Sequence, residues 1–82
     1  MQAIKLAHGT VFVTDGKITV RLSKTGECVV SPITFSVLEW DLKNEPLDSY
    51  EYLTEGEIFA LENDGYNKIL QVFEKTKKIL KV

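Results

Sequence analysis

Along the first forty residues, short apolar runs dense in β-branched side chains are interrupted by turn signals every several positions. Alternation with a period of two, rich in β-branched residues, predicts strands. In "QAIKLA", Ile4 and Leu6 share a face with Gln2, and His8-Gly9 then offers a reversal. "TVFVT" reads as a second strand. Asp15-Gly16 follows it and predicts a tight hairpin, because an Asp-Gly pair accepts the positive φ of a type I′ turn. "KITVRL" puts Ile18, Val20 and Leu22 on one face and Lys17, Thr19 and Arg21 on the other. "SKTGE" is a longer loop, and "CVV" a short fourth strand.

The next stretch, "SPITFSVLEWDLK", is harder. Wound as a helix capped at Ser31-Pro32, it sets Ile33, Val37 and Trp40 on one side and Phe35, Leu38 and Leu42 on the other, leaving no polar face. As a strand, Ile33, Phe35 and Val37 point one way, and Leu38, Trp40 and Leu42 take over after a one-residue slip. A bulge at Val37-Leu38 keeps both sets inward, so a strand is expected. The C-terminal stretch is helical. At about 100° per residue, Tyr66, Ile69, Leu70, Val72, Phe73, Thr76, Ile79 and Leu80 fall on one half of the wheel, with lysines and other polar residues on the other. Lys77 alone interrupts the apolar arc, and Asp64 is the expected N-cap. Between them, residues 45–63 carry two readings. Thr54 and Glu57 have capping-box spacing for a short helix, and "SYEYL" with "EIFALE" could instead form a hairpin across "TEGE".

These elements predict one α+β domain over residues 1–82: a β-sheet region (1–43), an acidic connecting segment (44–63) and a C-terminal helix (64–82). The expected architecture is an antiparallel meander of about five strands whose single apolar face is covered by that amphipathic helix. With the hairpin in 49–62 the count rises to seven strands and a helix. That order resembles the pleckstrin-homology-like architecture, a likeness of fold that implies no function.

Charge changes the picture more than composition does. Residues 1–38 carry a net +2, residues 39–64 a net −8 with nine acids against Lys43, and residues 65–82 a net +4 with five lysines against Glu74. A hydrophobic content of 44% argues against disorder. A single cysteine excludes an internal disulfide, and neither a signal-like start nor an apolar run of about 20 residues is visible, so a cytoplasmic protein with no membrane span is expected.

Candidate chemistry is sparse. Cys28 and His8 are the only cysteine and histidine, and nothing in the sequence brings them together as nucleophile and base. Two such residues are too few for a structural zinc site. "LENDG" lacks the spaced ligands of a calcium loop, and "SKTGE" lacks the order of a phosphate loop. No catalytic residue, metal or cofactor is therefore assigned. The acidic middle argues against direct nucleic-acid binding, which rests on neutralising phosphates. It points instead to a non-enzymatic protein-interaction domain, an adaptor or inhibitor. Such a domain would offer Asp48, Tyr50, Glu51, Tyr52 and Glu55 to a basic partner surface, in its sharpest form as a nucleic-acid mimic. The opposite signs of the acidic segment and the last helix would also suit pairing within one chain or between copies of a homo-oligomer. The alternative is an oligomeric small-ligand module with His8, Trp40 and Tyr66 lining a pocket at a sheet–helix or subunit interface.

Overall fold

A computed structural model describes residues 1–44 and 49–81. Strands β1 (Gln2–Leu6), β2 (Val11–Thr14), β3 (Thr19–Leu22) and β4 (Cys28–Val30) form the expected antiparallel meander. A fifth strand, β5 (Tyr50–Leu53), pairs antiparallel with the free side of β1, giving the order β4-β3-β2-β1-β5. The register aligns Ala3 with Val13 and Leu53, Val13 with Val20, and Leu22 with both Val11 and Cys28. Because side chains alternate across a strand, this row lines one face, while Ile4, Leu6, Phe12 and Tyr50 line the other.

The reversals follow the turn chemistry, with one correction. At His8-Gly9, the Gly9 N–H donates to the Leu6 carbonyl at 2.9 Å, with Gly9 at φ +102°, a region that L side chains rarely adopt. At Asp15-Gly16 only the glycine has positive φ, so the hairpin is not type I′, which needs positive φ at both central positions. Asp15 contributes its side chain instead: the carboxylate accepts the N–H groups of Lys17 and Ile18 at 2.9 and 3.1 Å.

The strand expected after Pro32 is overturned. Phe35–Asn44 is a helix, α1, and its N-cap is Thr34, whose hydroxyl accepts the Val37 N–H at 3.3 Å. Phe35, Leu38 and Leu42, at i, i+3 and i+7, pack against the row of Ile4, Leu6 and Phe12. The physical reason is the sheet itself. Its second face is apolar too, and a helix that buries one stripe there gains more than an edge strand would. Of the other stripe, Val37 and Trp40 are left exposed on α1, and Ile33, which falls before the helix, is exposed too; Trp40 keeps 64% of its surface in solvent.

On the opposite face both readings of 45–63 hold in part. β5 is a strand, but it leads into α2 (Glu55–Ala60) rather than a hairpin. Thr54 and Glu57 close the capping box in both directions. A 3₁₀ turn (Leu61–Asp64) follows, then α3 (Ile69–Leu80). Among the described residues the sheet therefore has five strands, and the seven-strand order does not form. Asp64 ends the 3₁₀ turn before a left-handed Gly65, and α3 starts later than expected, with Lys68 at its N-cap and no side-chain cap. Tyr66 and Asn67 lie in the intervening loop. The buried Tyr66 hydroxyl donates to the Gly9 carbonyl, and the Asn67 amide donates to the Gly26 carbonyl. Ile58, Leu61, Tyr66, Ile69 and Phe73 complete the main core against the Ala3 to Leu22 row.

Lys77, the misfit on the apolar arc, has a partner: its ammonium pairs with Asp15, tying α3 to the β2–β3 turn. Burial pushes the Asp15 carboxyl up, but the Lys77 hydrogen bond and the Lys17 and Ile18 N–H groups outweigh it, leaving the group at about 2 against an ordinary 3.8. A depressed carboxyl contributes its full stability above its unfolded pKa and loses it as pH falls through the folded one. The stability gap between wild type and Asp15→Asn is therefore expected to reach at most about 2.5 kcal/mol near neutral pH and to close between about pH 4 and about pH 2. Urea denaturation across that range reads it, and a gap independent of pH would contradict the assignment.

Candidate functional site

The proposed partner residues lie on β5 and the start of α2. Strand alternation splits them. Tyr50 and Tyr52 point to the α1 side, opposite Leu6 and Ile4, while Glu51 points to the other face, opposite Lys5. Tyr50 is half-buried against the α1 cluster. Tyr52 is 49% exposed, with its ring 6.1 Å from that of Tyr50 at 70°, an edge-to-face pair. Its hydroxyl donates to Glu39 Oε2 on α1 at 2.7 Å. That bond to a carboxylate holds the phenol in its neutral form and pushes it up to about 12, with partial burial and the Glu39 charge adding to the effect. Tyr52 is thus a fixed aromatic with one face in solvent. Glu55 is exposed and lies 3.5 Å from the Met1 ammonium. Asp48 lies outside the described residues.

The acids of 39–64 are not answered, among the described residues, by the lysines of α3. Among the described residues, none of them forms an ion pair with a lysine or arginine, and the one α3 lysine that is paired, Lys77, meets Asp15 in the N-terminal half. Glu57 is occupied locally: the Thr54 N–H and then the Thr54 hydroxyl donate to its carboxylate and hold it below the usual range. Glu51, Glu55, Asp41 and Glu62 are exposed.

His8, Trp40 and Tyr66 are not brought together. His8 is exposed on the β1–β2 turn, and Trp40 is exposed on the outer side of α1. Tyr66 is buried in the core on the opposite side of the sheet. One groove between sheet and helix lies between the β4 edge and α3. It encloses about 490 Å³, with Val30, Val72, Ile79 and Leu80 as its apolar lining and Lys68 and Lys75 beside them. Cys28 also lines it, and burial pushes its thiol up, the reverse of what an activated thiolate needs. Among the described residues, no group of three or more His, Cys, Asp or Glu could hold a metal ion, and no helix is long and apolar enough to cross a membrane. Compared with known proteins, the chain matches no family model, no curated protein and no solved structure.

Proposed function

We propose that this chain is a non-enzymatic protein-interaction domain of the cytoplasm, an adaptor or inhibitor that presents its acidic, tyrosine-bearing side to a basic partner. The observation that carries the reading is the pairing of Tyr52 with Glu39. It fixes a half-exposed aromatic ring against the Glu39 carboxylate, within a stretch whose acids form no ion pair with a lysine or arginine among the described residues. A rigid tyrosine loses little freedom on binding and is a common anchor at interfaces. Exposed carboxylates of the same segment, Glu51 on the other face of β5 and Glu55 at the start of α2, would steer a basic surface toward it.

The test begins with capture of a partner from an extract of the native host, followed by kinetics on the purified pair. Glu51→Lys with Glu55→Lys is expected to slow association about tenfold at low salt and to flatten its salt dependence. Unchanged rates at every salt concentration would refute the reading. Nucleic-acid mimicry is its sharper form, in which carboxylates occupy phosphate sites of the partner. It requires competition with DNA or RNA, and simultaneous binding would exclude it.

A further inference from the structure

We propose that copies of this chain associate head-to-tail, with the outer face of α1 from one copy seated in the β4–α3 groove of the next. Two unpartnered apolar surfaces motivate this. On α1, Val37 and Trp40 are exposed at i and i+3, the spacing at which side chains share one helix face, and Ile33, just before the N-cap Thr34, is exposed as well. On the other side of the sheet, the groove of about 490 Å³ is lined in part by Val30, Val72, Ile79 and Leu80, and Ile79 keeps 71% of its surface in solvent. α1 packs on one face of the sheet and α3 on the other, so a single copy cannot bring the two surfaces together.

Charge selects the occupant. Glu39 and Asp41 bracket Trp40 and outnumber Lys43 in the last turn of α1, within the stretch 39–64 that carries a net −8. Lys68 and Lys75 line the groove, within the stretch 65–82 that carries a net +4. Pairing α1 with α1, or groove with groove, would set like charges against each other. Pairing α1 with the groove sets acids against lysines. The interface is therefore heterologous, and it leaves one unused surface of each kind at the ends of any open assembly.

A complementation experiment tests this in light scattering and sedimentation. The wild-type mass is expected to rise above the 9.3 kDa of one copy as concentration approaches about 1 mM, and to fall back as salt is added. Val37→Ser with Trp40→Ser removes the α1 anchors, and Lys75→Glu with Ile79→Ser removes the groove. All four positions are exposed, and circular dichroism checks that both variants fold. Each variant alone should remain monomeric. An equimolar mixture should form a 1:1 pair and grow no further, because it holds one intact face and one intact groove. A wild type that stays monomeric at about 1 mM would overturn the proposal. So would a variant that associates as the wild type does, or a mixture that fails to pair.

Discussion

Aspartate at Leu38 is expected to cost about 3–5 kcal/mol, and aspartate at the neighbouring Val37 about 1 kcal/mol or less. Leu38 is 8% exposed and packs with Phe35 against Ile4 on the second face of the sheet. A carboxylate there would lose the apolar contact and sit desolvated without a partner. Val37 is one residue away on the solvent side of the same helix, where aspartate pays only its lower helix propensity. A domain of this length has roughly 4–12 kcal/mol in total, so the first change should unfold much of the population and the second should not. Urea denaturation at low protein concentration separates them. Equal costs at the two positions would contradict the helix, because a bulged strand with both side chains inward makes them equivalent.

That pair of positions also marks where the sequence was readable and where it was not. The β1–β4 meander was legible because short runs rich in β-branched residues recur between turns, and each reversal carries a glycine that accepts positive φ. α1 was not legible, because two apolar stripes on one helix look locally like a fully buried segment, and local pattern prefers a reading that hides both. Only the sheet's second apolar row, Ile4, Leu6 and Phe12, decides that one stripe is covered and the other is not. The capping box of Thr54 and Glu57 was readable, and so was the strand before it, but the choice between helix and hairpin depended on how the chain packs after β5. Lys77 looked like an error in an otherwise clean helical wheel. It is an ion-pair residue whose partner, Asp15, is sixty-two positions away in sequence, a separation no periodicity can reveal.

For the candidate site, the separation of charge along the chain was visible from composition alone. The contact that organises it was not. Tyr52 reaches Glu39 only because α1 lies over the sheet beside β5, so a carboxylate expected on a strand becomes part of the tyrosine surface. The ligand-pocket trio failed to assemble for the complementary reason. Aromatic and imidazole side chains were grouped by chemical type, whereas Trp40 and Tyr66 belong to opposite faces of the sheet. The groove uses aliphatic residues and lysines from β4 and α3, which carry no motif.

Phe73→Ala is expected to cost about 3–5 kcal/mol, enough to leave so small a domain close to its unfolding limit. Phe73 is 3% exposed and meets Ile58, Leu61, Tyr66 and Ile69 in the core that α2, the 3₁₀ turn and α3 build against the sheet. Its loss removes the transfer free energy of an aromatic ring and leaves a cavity between helices that are held apart by their own packing, so collapse can recover little. Ile79→Ala on the same helix should cost about 0.5 kcal/mol or less, because that side chain is already in solvent. Chemical denaturation at low concentration gives both values. Similar costs at the two positions would mean that α3 is not docked through Phe73. A large cost at Phe73 with none at Ile79 would locate the core on one side of the helix and leave the groove side available for association.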